Sequence, residues 1–373
     1  MSDARHLLRM GSRLIRPTGA GPELICQFVT ARCDAACRHC FDHERRGAEH
    51  EAAELTTREL EAIAHKLPPA YMVLLTGGEP FLRDDLPRIA AAYGRGPRPA
   101  VLAIPTNGGR SDAILAAVDD ILPQLPASTT LSVNVSIDGV GALHDDIRGV
   151  PGLFERAMGT IEGLRQRARH HEGLVTGVIT VVSQANAAGL PSLEAHLLDD
   201  LGIRSWAPFL LRGAPRDPAL AEPALEAYHA LGLRLARRAR AGTWGDTRGF
   251  LGARINSAKN ALRRELIERT LREGERQVPC RAGALSAVIQ SDGRVQACEL
   301  RDLPMGNLRD HDYDLRRLWR TAAAQRARAQ AYGGSCACTH ENALTMSIAY
   351  DWRSWGAMLG WLLPLSHQAS DPS

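Results

Sequence analysis

The chain has 373 residues, 45 basic and 42 acidic side chains and a formal net charge of +3. That length allows two domains and a large core, while so small a charge gives no general reason to expect a nucleic-acid partner. Eight cysteines and an N-terminal stretch, MSDARHLLRMGSRLIRP, with no continuous apolar core or small-residue cleavage site argue against secretion. They point to metal or redox chemistry in a reducing cytoplasm.

Taken in chain order, the first strand is the apolar run Glu23 to Val29. It leads directly into Cys33, Cys37 and Cys40, spaced CxxxCxxC. Thiolates three and four residues apart on a short loop converge on one centre. Three is one ligand short of a closed zinc site but suits an iron-sulfur cluster with one open iron; zinc and redox or structural thiols stay open on spacing alone. Thr56 and Glu59 form a capping box, and Leu60, Ile63, Ala64 and Leu67 recur at helical spacing behind it. Strands then follow at Tyr71 to Leu75, Ala100 to Pro105, Leu131 to Val135, Leu174 to Val182 and Ile203 to Leu211. Helices alternate with them at about 84–93, 111–122, 152–169 and 190–200.

The strand ends carry polar and glycine-rich residues: Thr76-Gly77-Gly78-Glu79-Pro80, Thr106-Asn107-Gly108 and Ser136-Ile137-Asp138-Gly139. A parallel barrel places its chemistry on such loops. Six strand-helix alternations, short of the eight that close a full barrel, predict an α/β fold, a partial (β/α)6 TIM-like barrel with an open side. The Asp-Gly pair is also a common turn, and Arg148 reads equally as a surface ion pair.

Together these motifs, over residues 20–215, resemble the radical S-adenosylmethionine (SAM) superfamily. The resemblance implies a 4Fe-4S cluster on Cys33, Cys37 and Cys40. It places Gly77, Gly78 and Glu79 along the amino group of SAM, Ser136 and Asp138 at its ribose or carboxylate, and Arg148 as a carboxylate partner. Where relatives often have an aromatic residue before the third cysteine, this chain has His39, followed by Phe41; a ring packed over cofactor or cluster is the expected role.

Residues 216–272 read as an Arg-rich helical linker, with helices over Pro223 to Arg240 and Ala253 to Arg272. The Arg clusters at 234–240 and 316–328 are read as solvated helix faces first and patches for an acidic partner second. Beyond them, Ser286 to Ser291, the turn Asp292-Gly293 and a returning strand to Cys298 form a hairpin. It brings Cys280 and Cys298 together, and Cys336 and Cys338 supply the remainder. This spacing resembles the SPASM and twitch auxiliary-cluster domains, here over 273–342. It implies a second 4Fe-4S cluster held by Cys280, Cys298, Cys336 and Cys338; a zinc ribbon is the alternative. Residues 343–373 form an apolar tail. Its stretch 344–365 fits either a helix packed on the barrel or one lying at the inner membrane face through Trp352, Trp355 and Trp361.

The expected function is reductive cleavage of SAM and oxidative modification of an unactivated C–H position. The expected electron donor is a flavodoxin or ferredoxin. Peptide-modifying members of the superfamily often add an N-terminal recognition domain, and only 32 residues precede Cys33. The expectation therefore tilts to a small-molecule or lipid-linked substrate over a peptide. A non-catalytic iron-sulfur or zinc scaffold is the third reading.

Overall fold

The computed structural model describes residues 21–241, 244 and 250–362. The N-terminal stretch read above lies outside them. Six parallel strands form in order: β1 (Leu24–Thr30), β2 (Met72–Gly77), β3 (Val101–Thr106), β4 (Thr130–Ser136), β5 (Leu174–Val182) and β6 (Trp206–Leu210). Between them run α1 (Ala48–Ala52), α2 (Thr57–Lys66), α3 (Leu86–Arg95), α4 (Ser111–Ile121), α5 (Ala142–Arg148), α6 (Leu153–His170) and α7 (Leu190–Glu194), the last continued by a π turn at Ala195–Asp200. At the start of α2 the Thr56 side chain accepts from Glu59 N, and the Glu59 side chain accepts from the Thr56 backbone. Two donors that the helix itself leaves unsatisfied are thus covered.

Alternation along each strand decides what lies inside. On β4, Leu131, Val133 and Val135 are buried in the main core against the helices, while Ser132, Asn134 and Ser136 are half-buried on the opposite face. That opposite face is the concave interior of the partial barrel.

β1 is buried along its whole length, so both of its edges need hydrogen-bonding partners. One edge pairs with β2. The other pairs in parallel with β7 (Ser286–Ile289), in the register Leu24↔Ser286 to Gln27↔Ile289. β8 (Arg294–Gln296) and β9 (Pro304–Asn307) add on in antiparallel fashion, giving the sheet order β6-β5-β4-β3-β2-β1-β7-β8-β9. The hairpin is therefore continuous with the barrel sheet. Its turn is built at Gly293, where φ is +87° and the backbone N–H donates to Gln290 O at 3.0 Å. The remaining helices are α8 (Leu225–Arg240), α9 (Phe250–Glu273), α10 (Leu315–Trp319), α11 (Ala322–Gly333), α12 (Glu341–Ala349) and α13 (Trp352–Leu362).

The open side expected from six units is bridged by α12. Met346, with Tyr350 just beyond the helix, packs against Leu24, Cys26, Phe28, Leu285 and Val288 in a second apolar cluster on the inner face of the sheet. At the β6 side, the fully buried Glu341 accepts from Leu210 N at 2.8 Å and from Arg212 Nη1 at 3.3 Å. At the β7 side, Ser347 Oγ accepts from Arg281 N at 3.2 Å. The apolar face of α12 is thereby buried at this seam.

The tail does not run as one element. It breaks at Tyr350–Asp351, so α12 is packed inside while α13 leaves Trp352 71% and Trp355 39% exposed; the Trp361 side chain lies outside the described residues. No helix among the described residues is long and apolar enough to cross a membrane. Replacing Glu341 with Ala leaves the buried Leu210 N–H without its acceptor and Arg212 with Glu299 in place of two carboxylates. The expected loss is about 3 kcal/mol of unfolding free energy in denaturant titrations, against less than about 0.5 kcal/mol for an exposed control such as Glu226→Ala.

Candidate metal centres and cofactor site

The carboxyl ends of β1 to β4 meet around the first cysteine loop. That loop is held from three sides. From β2, Gly78 N donates to Thr30 O at 2.9 Å and Glu79 N to Arg32 O at 2.8 Å. From β3, Asn107 Nδ2 donates to Asp34 Oδ1 at 2.7 Å. From α5, Ala36 N and Arg38 N donate to the carbonyls of Arg148 and Ile147 at 3.0 and 2.9 Å. A Cβ at Gly78 would stand 1.9 Å from Arg32 O, and one at Gly77 (φ +133°) would stand 2.2 Å from Thr30 O. Only glycine permits this approach.

Two arginines face the three thiols. Arg46 Nη2 lies 3.2 Å from Cys40 Sγ, with Nη1 donating to Ala35 O at 3.0 Å. Arg148 Nη1 lies 3.7 Å from Cys37 Sγ. Burial pushes the Cys33 thiol up to about 11, opposed by Arg46. A donor set of three clustered thiols with compensating cations is what a thiolate-held cluster requires.

Asp138 is fully buried. Its Oδ2 lies 2.6 Å from Arg148 Nε and 3.8 Å from His39 Nε2, and its Oδ1 accepts from Val181 N at 2.8 Å. Burial works against the charge on Asp138, but Arg148, His39 and His144 hold its carboxyl below the usual range. As placed, Asp138 anchors Arg148 beneath the cysteine loop. His39 is buried too, and burial lowers its pKa to about 4. Ser136 is half-buried on the interior face of β4. The Glu79 carboxylate accepts from Phe81 N (3.1 Å), Thr106 Oγ1 (2.9 Å) and Asn107 N (2.7 Å), tying the end of β2 to that of β3.

The second group assembles from three segments. His340 joins two of them: its backbone N–H donates to Cys338 Sγ at 3.3 Å and its ring Nε2 donates at 2.8 Å to Glu299, the neighbour of Cys298. Gly283 and Ala297, close in sequence to Cys280 and Cys298, approach so tightly that a Cβ at Gly283 would lie 2.6 Å from that of Ala297. Three of the sulfurs accept a backbone N–H from two residues onward: Cys280 from Ala282 (3.4 Å), Cys298 from Leu300 (3.4 Å) and Cys338 from His340 (3.3 Å). Such turns orient sulfur lone pairs and stabilise thiolate charge. Cys280, Cys298 and Cys338, each with a backbone N–H donor, have the donor chemistry of cluster ligands.

A buried ionic network beside this centre escaped the sequence reading. Glu299 accepts from His340 Nε2 at 2.8 Å and from Arg212 Nη2 at 3.3 Å, and Arg212 also meets Glu341. Burial alone would raise the Glu299 pKa, but His340 and Arg212 hold it far below the usual range. The available signal was charge placed directly against cysteine, in Cys298-Glu299 and Cys338-Thr-His-Glu341.

Comparisons agree with this geometry. A model of the radical SAM superfamily matches residues 28–188, and one of the SPASM iron-sulfur cluster-binding domain matches 280–339. The chain belongs to the radical SAM superfamily, as an enzyme with a C-terminal SPASM domain that uses SAM and 4Fe-4S clusters. It is 33% identical over 190 residues to the pre-heme d1 synthase of Dinoroseobacter shibae, covering 50% of this chain but 42% of that relative. It is 27% identical over 340 residues to the AdoMet-dependent heme synthase of Oleidesulfovibrio alaskensis, covering 86% and 80%. Over 204 residues it is 31% identical to the mycofactocin maturase MftC of Mycobacterium ulcerans, covering half of each chain. The structure of anSMEcpe with bound AdoMet and Cp18Cys peptide superposes with a TM-score of 0.59 at 15% identity, covering 91% and 96%, and so shares the fold.

Glu79 supplies a pH test. Burial raises its pKa to about 7, against three donated hydrogen bonds. Its unfolded value is near 4.5, so the contribution is fully present below pH 4.5 and is lost as pH rises through 7. Thermal unfolding of Glu79→Gln across pH 4.5 to 7 should show a flatter slope than wild type. Replacing Cys33, Cys37 and Cys40 together with Ala should abolish formation of 5'-deoxyadenosine and leave the iron of the second centre in place, as read by iron analysis and electron paramagnetic resonance.

Proposed function

We propose that this enzyme removes a hydrogen atom from an unactivated carbon of a small-molecule substrate and completes a net oxidation, with a carboxylate-bearing iron porphyrin as the first substrate class to test. Cys33, Cys37 and Cys40 hold the SAM-binding cluster, and Cys280, Cys298, Cys336 and Cys338 hold one auxiliary cluster. When bound, SAM and the first cluster supply the 5'-deoxyadenosyl radical that makes this chemistry accessible.

The chain's own residues supply position. Gly77, Gly78 and Glu79 shape the floor beside the cysteine loop for the amino group of SAM. Ser136 borders the interior, and Asp138 fixes Arg148 for the cofactor carboxylate. α12 excludes water from the seam between β6 and β7, and the half-buried Ser132 and Asn134 offer hydrogen bonds on the interior wall. The observation that carries the substrate class is the match to proteins named as heme synthases over most of both chains, in Oleidesulfovibrio alaskensis and again in Nitratidesulfovibrio vulgaris at 88% of that relative. A peptide substrate is the second reading, supported by the likeness to MftC.

The deciding assay is anaerobic. Reconstituted protein should bind about eight irons and consume SAM in step with porphyrin oxidation; SAM cleavage that is stimulated only by a peptide would transfer the assignment to the second reading. Changing Cys298 to Ala should leave cleavage of SAM within about twofold of wild type while product formation falls by about a hundredfold or more. Full product formation by that variant would make the second centre structural.

A further inference from the structure

At the amino-terminal end of the sheet, opposite the SAM site, lies a cavity of about 960 Å³. Pro22 and the Pro68-Pro69 pair, which precede β1 and β2, form part of its wall. Its character is electrostatic. Arg281, Arg316, Arg320 and Arg328 line it, and none of its lining residues is acidic. Arg316 and Arg320 are exposed and form no ion pair among the described residues. Arg328 lies over the Trp319 ring at 5.1 Å, and Arg328 Nη1 and Trp319 Nε1 are buried donors without an acceptor. Trp319 itself is 5% exposed. With Arg316 and Arg320 exposed and no acid in the lining, the rim suits a partner that carries negative charge.

Cys280 is in the wall of the same cavity. We propose that this cavity docks an acidic one-electron carrier protein, of the ferredoxin type, that takes electrons from the auxiliary cluster. The proposal rests on the two-cluster reading above. Its rim is cationic, and Cys280, proposed above as a ligand of the second centre, lies in its wall. Each transfer moves one electron: the auxiliary cluster is oxidised by one unit and the carrier reduced by one, with no bond made and no proton moved. A charged surface also suits the kinetics, since redox partners meet through small, weak interfaces and rely on electrostatic steering. Substrate enters at the opposite end of the barrel, so carrier and substrate do not compete.

The test uses the reconstituted holoenzyme, an oxidised ferredoxin of net negative charge, and the double variant Arg316→Glu/Arg320→Glu. Binding is read by calorimetry, and electron transfer by stopped-flow after reduction and desalting of the holoenzyme. The double variant should bind about tenfold more weakly and transfer about tenfold more slowly, and wild-type affinity should fall about fivefold between roughly 50 and 300 mM salt. Iron content and SAM cleavage driven by a chemical reductant serve as folding controls. Iron near eight with unchanged binding and transfer would overturn the docking site alone. Iron near four would overturn the two-cluster reading and the docking site with it. Tight binding of inorganic pyrophosphate, lost in the variant while ferredoxin binding persists, would instead assign the cavity to a small polyanion.

Discussion

Arg212, at the end of β6, lies between Glu299 and Glu341 with its guanidinium 5.4 Å from the centre of the Phe41 ring. Each contact belongs to a different part of the molecule. Phe41 follows Cys40 in the first cysteine loop, Glu299 follows Cys298, and Glu341 begins the helix that fills the barrel seam. Removing the Arg212 cation would leave two buried carboxylates facing each other in a low dielectric, so the guanidinium is the member on which the cluster depends. The two cysteine centres are therefore held in one frame by a single ionic cluster.

The same economy appears beneath the first cysteine loop. Asp138 carries no exposed surface, yet it fixes Arg148, which reaches Cys37, and lies beside His39 between Cys37 and Cys40. The end of β4 thus sets the orientation of a loop that belongs to β1. Gly77 and Gly78 make the complementary contact from β2, where any side chain would collide with the backbone of Thr30 or Arg32. Polar groups fix direction and the absence of a Cβ fixes distance. A site that must hold three thiols on one cluster needs both.

Continuity of the sheet from β6 through β9 shapes how the two halves communicate. β7 extends the barrel beside β1, so the auxiliary cysteines hang from the same hydrogen-bonded frame as the triad. Cys26, on the inner face of β1, packs with Val288 of β7 and Met346 of α12. Motion of the hairpin relative to the barrel would break both this apolar cluster and the β1–β7 ladder, so the spacing between the centres is rigid by construction.

Local chemistry made much of this legible in the sequence. The capping box at Thr56 and Glu59, the apolar strand Leu174 to Val182, the Asp292-Gly293 turn and the cysteine spacings act over a few residues, and their consequences do not depend on what packs against them. The β/α alternation gave the parallel sheet for the same reason. What only the tertiary structure decided are relations between distant segments: β7 joining β1, α12 entering the seam, Arg212 meeting Glu299 and Glu341, and Arg46 and Arg148 turning toward the thiols. A buried charge in a sequence looks the same as an exposed one. Its partner is chosen by packing, across separations such as the 129 residues between Arg212 and Glu341, and no local pattern encodes that choice.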